Sequence, residues 1–153
     1  MNDYIGQQFG NYRLLRLLGE GSFASVYLAE HRYLEIPTAI KILHVRMEAR
    51  AREPFLSEAR MIAHLQHPHI VRVRDFGFKE QTPYLVMEYT PNGTLSSLYP
   101  RGTRAPLEQI VSYVKQIASA LDYAHAQGVI HRDVKPENVL LGAKNEALLS
   151  DFG

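Results

Sequence analysis

Residues 131–138 read His-Arg-Asp-Val-Lys-Pro-Glu-Asn, and this polar run decides both the fold and the chemistry. Apolar residues at 129–130 precede it and apolar residues at 139–141 follow it. Because both flanks have the composition of buried segments, a solvated surface loop is the weaker interpretation. The sequence therefore predicts a polar loop that two apolar segments hold in place.

The residue types in this loop suit the transfer of a phosphate group. Asp133 can orient a hydroxyl, Lys135 can neutralise a phosphate, and Asn138 can coordinate a metal. Pro136 biases Lys135 toward an extended backbone. Further along the chain, Asp151 offers a second oxygen ligand for a hard cation such as Mg²⁺.

A glycine-containing segment lies between two predicted strands near the start of the chain. It reads Gly19-Glu20-Gly21-Ser22-Phe23-Ala24-Ser25-Val26, and glycine lets a phosphate approach the backbone N–H groups. Taken alone, the segment fits a simple glycine hairpin better than a phosphate-binding loop. A dinucleotide-binding motif is excluded because a strand follows the glycines, and a Walker A motif because no Gly-Lys-Ser/Thr follows.

A lysine stands in the middle of the apolar strand Ala39-Ile40-Lys41. A surface-facing lysine on an alternating strand is the ordinary interpretation of this pattern. The functional interpretation needs an anion and a carboxylate nearby, since buried lysine is rarely unpaired. Glu58, within the following predicted helix, can supply that carboxylate, and Glu53, which precedes the helix proper, is its competitor.

Hydrophobic periodicity predicts the order β-β-β-α-β-β, followed by a turn, a long helix and short strands. This order favours an α+β fold, in which an antiparallel sheet with one helix is tethered to a mostly helical part. The predicted elements are strands at 11–18, 24–31 and 36–44, a helix at 54–66, strands at 70–78 and 84–89, a helix at 106–127 and a strand at 147–149. The apolar stripe of the long helix consists of Leu107, Ile110, Val111, Val114, Ile117, Ala118, Leu121, Ala124 and His125.

Composition excludes several classes of function. The net charge of +1 gives no electrostatic case for nucleic acid or an anionic membrane as a partner, and the absence of cysteine excludes disulfides and thiolate zinc sites. His64, His67 and His69 cluster, but no carboxylate or cysteine completes a zinc site. With no secretory signal and no apolar run near about 20 residues, we expect a cytoplasmic protein, while a longer parent could carry a membrane anchor.

Taken in order, these motifs resemble the catalytic domain of protein kinases. Lys135-Pro136-Glu137 resembles the serine/threonine branch, and the surrounding style is similar to bacterial kinases of the eukaryotic type. The resemblance implies a five-stranded antiparallel N-lobe sheet with one helix, followed by the first part of a helical C-lobe. It divides the chain into an N-terminal extension (1–10), an N-lobe (11–88), a hinge (89–94) and a partial C-lobe (95–153), which we interpret as truncated at Asp151-Phe152-Gly153.

The resemblance also implies ATP and Mg²⁺ as cofactors and assigns roles by position. The catalytic residues would be Asp133 as base, Lys135 at the γ-phosphate, and Lys41 paired with Glu58. The metal ligands would be Asn138 and Asp151. The nucleotide-binding residues would be Leu18, Gly19, Gly21, Ser22, Phe23, Ala24, Val26, Ala39, Lys41, Met87, Glu88, Tyr89, Thr90, Thr94 and Leu140. The residues of a hydrophobic spine would be Ile62, Val73, His131 and Phe152.

Two positions depart from the family pattern. Ala24 replaces the third glycine of the loop, a small change that we expect to be tolerated. Thr94 stands near the position where many relatives place an acidic residue for the ribose, and a hydroxyl can serve there with weaker charge assistance.

The resemblance predicts ATP-dependent phosphoryl transfer to serine or threonine hydroxyls of protein substrates. The alternative is a pseudokinase or scaffold module that holds nucleotide without turnover, and a small-molecule kinase is disfavoured by residues 131–138. For the 153 residues alone we expect weak or no activity and marginal stability, since the apolar stripe at 107–125 lacks packing partners.

Overall fold

A computed structural model describes residues 3–152. Predictions that involve Met1, Asn2 or Gly153, including the last position of the Asp151-Phe152-Gly153 motif, lie outside the described residues. The chain forms two compact units. The first contains residues up to Ala63 together with Val73–Tyr89, and the second contains His64–Arg72 together with the residues from Thr90 on. Residues 64–72, inside the range 11–88 predicted for the N-lobe, thus cluster with the second unit, and the predicted domain bounds stay a prediction.

The first unit is an antiparallel sheet of six strands in the order β1-β2-β3-β4-β6-β5. The sequence predicted five strands, so that count was wrong by one. The additional strand, β1, is formed by the segment predicted as an extension. The strands are β1 Gln8–Phe9, β2 Tyr12–Glu20, β3 Ala24–His31, β4 Pro37–Leu43, β5 Val73–Lys79 and β6 Thr82–Glu88.

One face of this sheet carries the hydrophobic core of the unit. Phe9 and Tyr4 from the N-terminal segment pack there, with Phe9 meeting the rings of Tyr4 and Tyr84 edge-to-face at 5.4 and 5.3 Å between centroids. Such pairs stabilise the fold beyond the burial of their area. The buried members of this core are Phe9, Leu14, Tyr27, Ala29, Ile40, Ile42, Tyr84 and Val86.

The glycine at position 77 in β5 is required by the same core. A Cβ atom at Gly77 would lie 2.4 Å from the hydroxyl oxygen of Tyr84, its partner across the β5–β6 pairing. No side chain fits at that distance, so the residue must be glycine for the Tyr84 ring to cover the strand.

The helix of the first unit, α1, spans Arg52–Ala63 after a short 3₁₀ turn at Ala49–Ala51. The predicted range of 54–66 ran three residues too far. Beyond Ala63 the backbone bonds elsewhere, because the N–H of Gln66 donates to the hydroxyl of Tyr123 at 3.0 Å. The α1 helix therefore ends well before Pro68.

The second unit contains α2 (Leu95–Leu98), α3 (Leu107–Ala126) and a two-stranded antiparallel sheet of β7 (Val139–Leu141) and β8 (Ala147–Leu149). The predicted helix at 106–127 is confirmed to within one residue at each end. Its buried residues are Tyr113, Ala120 and Ala124. Most of the predicted apolar stripe is not buried: Leu107, Ile110, Val111 and Val114 are exposed.

Two polar contacts fix α3 against the β7–β8 hairpin. The side-chain oxygen of Gln116 accepts the N–H of Ala147 at 2.7 Å, and the hydroxyl of Tyr113 donates to the carbonyl of Asn145 at 3.3 Å. In the described part of the chain, no helix has both the length and the apolar character to cross a bilayer.

Candidate active site

In the first unit, strand register brings part of the predicted nucleotide set onto one sheet face. Val26 pairs with Lys41 across β3 and β4, and Ala39 pairs with Met87 across β4 and β6. Paired residues share a face, and residues two apart on one strand share it too. Val26, Ala39, Lys41 and Met87 therefore all lie on the face opposite the aromatic core.

The glycine-rich loop connects β2 to β3 beside this face. The N–H of Gly21 donates to the carbonyl of Ala24 at 2.9 Å, which closes the turn, and Phe23 at its tip is 83% exposed. A Cβ atom at Gly19 would meet nothing within 4 Å, so packing within the chain does not require a glycine there. Open space beside a loop backbone is what the approach of a phosphate requires.

The residues flanking this loop are arranged as a continuous hairpin. Gly19 pairs with Val26, and Ala24 pairs with Leu43 of β4. Ala24 is partly buried, so its methyl group is accommodated, in keeping with the expected tolerance of alanine there. Leu18 and Ser22 are exposed.

The two acidic candidates on α1 differ in their contacts. Glu53 accepts a hydrogen bond from Arg60 at 2.8 Å on the exposed surface of the helix. Glu58 is exposed and lies within the helix, as expected. The ion pair between Lys41 and Glu58 stays a prediction.

In the second unit, hydrogen bonds and an ion pair join two predicted catalytic residues, Asp133 and Lys135, with the predicted metal ligand Asn138. The side-chain nitrogen of Asn138 donates to the backbone carbonyl of Asp133 at 2.8 Å and to its carboxylate at 3.1 Å. Lys135 Nζ lies 3.4 Å from the same carboxylate. Both charged side chains are at least half exposed, so this ion pair contributes little to stability and leaves them available to a ligand.

The buried His131 stabilises this loop through hydrogen bonds. Its Nε2 donates to the carbonyl of Ser150, and its Nδ1 accepts the N–H of Asp133 at 3.1 Å. The ring also meets Phe152 edge-to-face at 4.6 Å between centroids. This places two of the predicted spine residues, His131 and Phe152, in direct contact.

Asp151 is positioned through its neighbour Ser150. Both the N–H and the hydroxyl of Ser150 donate to the carbonyl of Asn138, at 2.9 and 3.0 Å. The chain then turns through a left-handed conformation at Asp151, with φ of 62°, and Arg132 has φ of 74°. Such values are uncommon outside glycine and asparagine, and they mark segments whose surroundings hold them in place.

The oxygen atoms in this cluster fit a hard cation. The side-chain nitrogen of Asn138 makes both donor contacts to Asp133, and its Oδ1 is the side-chain atom whose chemistry suits a metal. Within that range no group of three or more His, Cys, Asp or Glu side chains forms a complete cage. Mg²⁺ is typically held by one or two carboxylates with substrate phosphates and water, so Asn138 and Asp151 suit it.

The predicted hinge residues divide between the two units. Tyr89, in the first, accepts a hydrogen bond from Arg16 at 3.3 Å. Thr94, in the second, caps α2 by accepting the N–H of Ser97 at 3.1 Å, and it forms a β-bridge with Leu140. One lone pair of the Thr94 hydroxyl oxygen is thus already in use, which leaves its proton and its second lone pair for a ribose.

Three further residues of the predicted nucleotide set are partly buried. They are Met87 and Glu88, just before the predicted hinge, and Thr90 within it. The hydroxyl of Thr90 is buried without a hydrogen-bond partner among the described residues.

Two features that position these sets were not predicted from the sequence. The N-terminal segment completes the sheet that carries Lys41, and His44 contacts the glycine-rich loop. In neither case does a motif mark the contact. The aromatic residues Tyr4, Phe9 and Tyr12 were the only signal in the sequence for the first.

Comparison with protein families matches residues 12–153 to the protein kinase domain. The chain belongs to the protein kinase family. It is 40% identical to the serine/threonine-protein kinase PknH of Mycobacterium tuberculosis over 151 residues, which is 97% of this chain and 24% of the relative. Identity to PknE of the same species is 42% over 151 residues, 97% of this chain and 26% of PknE.

A vertebrate relative matches almost as much of the chain. Aurora kinase A-A of Xenopus laevis is 37% identical over 145 residues, covering 94% of this chain and 36% of the relative. The chain thus spans about a quarter of the length of the mycobacterial kinases it matches. The fold is that of a protein kinase domain: an antiparallel sheet with one helix, followed by a short helical portion.

Proposed function

We propose that this chain is the nucleotide-binding part of a serine/threonine protein kinase that transfers the γ-phosphoryl group of ATP to protein hydroxyls. The observation that carries the proposal is the buried Asn138, which contacts Asp133 through its side chain and Ser150, next to Asp151, through its carbonyl. Hydrogen bonds thereby join the proposed base to one proposed metal ligand, and the second, Asp151, follows directly after Ser150. Rigid placement of such groups is the main requirement of phosphoryl transfer.

Each residue of this network has a proposed task. Asp133 orients the acceptor hydroxyl and takes its proton, and Lys135 stabilises charge on the transferred phosphate. Mg²⁺, held by Asn138 and Asp151, supplies positive charge that neutralises the phosphate oxygens. His131 holds the loop in its catalytic conformation.

The sheet face of the first unit is proposed to bind the rest of the nucleotide. Val26 and Ala39 enclose the adenine, and Met87 is the gatekeeper beside it. Lys41 binds the α- and β-phosphates beneath the glycine-rich loop. The adenine edge and ribose are contacted by residues from Glu88 to Thr94, including Tyr89 and Thr90, and Leu18 and Leu140 complete the apolar walls.

A cytoplasmic location, where ATP and Mg²⁺ are supplied, belongs to the same proposal. The partners would be proteins with an accessible serine or threonine.

The substitution Asp133→Asn in the full-length protein tests the catalytic assignment. Phosphate transfer to a protein substrate should fall by about 10²- to 10⁴-fold, because the base is lost, while ATP affinity stays within about two-fold of wild type. Transfer is followed with radiolabelled ATP and affinity by calorimetry. Asp122→Asn, an exposed carboxylate on α3, is the matched control and should leave both values unchanged. Full transfer by the Asp133 variant would remove that residue from its role.

A second experiment tests whether one nucleotide contacts both units. An acyl phosphate of ATP acylates lysine amines near the phosphates and releases ATP. We expect mass spectrometry to find label on Lys41 and on Lys135, with excess ATP preventing both. The exposed Lys144 is the internal control. Label on only one of the two lysines would contradict convergence, and ATP binding without any transfer by the wild-type protein would favour the pseudokinase alternative.

A further inference from the structure

His44 directly follows β4 and makes three contacts with the glycine-rich loop and the strand that leaves it. Its backbone N–H donates to the carbonyl of Phe23 at 2.8 Å. Its Nε2 lies 2.7 Å from the hydroxyl of Ser25, and its Nδ1 lies 3.4 Å from the carbonyl of Ser22. One residue therefore contacts three of the four positions between Ser22 and Ser25.

The direction of these bonds follows from their partners. A carbonyl can only accept, so Nδ1 of the neutral ring carries the proton and points it at Ser22. Nε2 then accepts the hydroxyl proton of Ser25. The contact to Ser22 is at the long end of hydrogen-bond distances, so the bond to Ser25 is the stronger of the two.

Burial makes the bond between His44 and Ser25 consequential. Ser25 is only 3% exposed, so its hydroxyl cannot turn to bulk water if the imidazole is removed. His44 itself is exposed and would be rehydrated if the serine were removed. Loss of a buried group's partner costs more than loss of both partners together.

The contact lies on the side of the sheet away from the proposed nucleotide face. Ser25 pairs with Ile42, a member of the aromatic core face, whereas the next residue, Val26, pairs with Lys41 on the other face. A change at His44 therefore alters no atom proposed to contact ATP. Any effect on the nucleotide must pass through the loop backbone.

We infer that His44 is a positioning residue, which holds the glycine-rich loop in its phosphate-binding conformation through Ser25 and Ser22. The inference deepens the proposed function and rests on it for the nucleotide readout. The loop closes a turn of its own through Gly21 and Ala24, and His44 fixes that turn to the end of β4. Without this link the loop samples more conformations, and a nucleotide must order it on binding.

The main test is the substitution His44→Ala in the full-length protein. Affinity for the non-hydrolysable analogue AMP-PNP should fall by about 3- to 10-fold, the range expected for losing one such bond. The KM for ATP should rise by the same factor, while kcat changes by less than about two-fold, since the catalytic loop is untouched. His44→Gln, whose amide can still bond to the Ser25 hydroxyl, should restore most of the affinity. Val45→Ala, at the partly exposed neighbouring position, is the control and should bind as wild type.

The pairing with Ser25 is tested by a double-mutant cycle. Ser25→Ala should weaken AMP-PNP binding, and the double variant with His44→Ala should lose no more than His44→Ala alone, because both changes remove the same link. If the losses of AMP-PNP affinity in the two single variants multiplied in the double variant, the role of Ser25 would be overturned. Equal affinity of the His44→Ala and wild-type proteins would overturn the inference as a whole.

A measurement without nucleotide separates this inference from the proposed function. Amide hydrogen exchange across residues 19–25 should be about 3- to 10-fold faster in His44→Ala than in wild type, and His44→Gln should slow it again. If the wild-type protein failed to bind nucleotide, the proposed function would fall and the exchange result would still decide the inference. Unchanged exchange, or faster exchange spread evenly over the whole sheet, would overturn it.

Discussion

Asn138 links Asp133 to Ser150, the residue that precedes Asp151. Its side-chain nitrogen donates two hydrogen bonds to Asp133, and its backbone carbonyl accepts two hydrogen bonds from Ser150. A buried residue with this many bonds stabilises the loop, and the two side-chain bonds orient the amide so that Oδ1 is the atom that can bind a metal. Its removal should therefore be visible in stability and in metal dependence together.

We expect Asn138→Ala to lower the free energy of unfolding by about 1–3 kcal/mol, because the amide donors to Asp133 are lost from a buried site. The Mg²⁺ concentration needed for half-maximal phosphate transfer should rise at the same time. Urea unfolding and a Mg²⁺ titration of activity measure the two effects. Asn145→Gly is a suitable control, since Asn145 has φ of 57°, which glycine adopts freely. An unchanged Mg²⁺ requirement would show that Asn138 is not a ligand.

At the scale of single residues, the sequence predicted which residues have suitable chemistry better than it predicted which residues contact one another. Asp133, Lys135 and Asn138 were identified from residue type and spacing, and the structure joins them. The capping role of Thr94 and the bond from His44 to Ser25 were missed. Thr94 belongs to a capping box in which Ser97 takes the place of the usual glutamate or glutamine, and the bond from His44 joins residues far apart in the chain.

At the scale of elements, the N-terminal segment is the main addition to the predicted fold. Strand β1 has only two residues, too few for an alternating pattern to reveal it. Its importance comes from Phe9, which is fully buried and which Lys79 also covers, with Nζ 4.6 Å from the ring centroid. The segment acts as a cover for the aromatic core face.

Replacing this aromatic side chain should destabilise the protein strongly. We expect Phe9→Ala to cost about 3–5 kcal/mol of unfolding free energy, the range for truncating a buried phenylalanine. Ile5→Ala, in the same segment but half exposed, should cost far less. Chemical unfolding of the two variants gives the comparison, and equal losses would mean that the segment does not cover the core.

The connection His64–Arg72 is a second element that the helix prediction misjudged. His67 contacts the hydroxyl of Ser119 through Nε2 at 3.1 Å and accepts the N–H of His69 on Nδ1 at 3.0 Å. Its ring lies against the ring of Tyr123, with 5.3 Å between the two centroids. Partial burial, and after it the neighbouring His69, lower the pKa of His67 below its ordinary value of 6.5. Protonation would also remove the bond from His69, because Nδ1 could no longer accept.

This lowered pKa makes the stability of the protein depend on pH. The unfolded chain takes up the proton more readily than the folded one. The contribution of His67 is therefore present above pH 6.5 and is lost as the pH falls from 6.5 through the lower folded pKa. Between pH of about 7.5 and 5.5, the melting temperature of His67→Gln should fall less than that of wild type. His125→Gln, at an exposed position of α3, should behave as wild type, and a matching response in both variants would contradict the assignment.

At the scale of the whole molecule, α3 leaves several large apolar side chains exposed. Leu107, Ile110, Val111 and Val114 are exposed, while the buried residues of the helix include two alanines. A contiguous apolar face of this kind promotes association between molecules. The sequence predicted the stripe correctly, but periodicity alone does not tell which side of a helix the rest of a chain covers.

Val114→Lys tests the consequence for the 153-residue chain produced alone. Val114 is 60% exposed, so we expect a charged side chain there to reduce self-association in sedimentation velocity without lowering the melting temperature. Ala120→Lys, on the fully buried face of the same helix, should instead unfold the second unit. Undiminished association of the Val114 variant would show that this face is not responsible.

The family and fold class followed from the order of a few motifs, because each motif needs its neighbours to make chemical sense. The limits of the units were harder to predict. Residues 64–72 follow α1 directly in sequence, yet their bonds to Tyr123, Ser119 and Ala147 assign them to the second unit. Tertiary bonds of this kind leave no local pattern in the chain.

The strand formed by Gln8 and Phe9 has a practical consequence for making this protein. The match to the protein kinase domain begins at residue 12, and an expression plasmid designed from that boundary would omit Tyr4 and Phe9. The encoded product would keep the motifs from the glycine-rich loop to Asp151-Phe152-Gly153, yet the rings of Tyr27 and Tyr84 would lose the aromatic side chains that cover them. A poor yield from such a clone would then indicate that the cover of the aromatic core is missing, and not that the catalytic domain is defective.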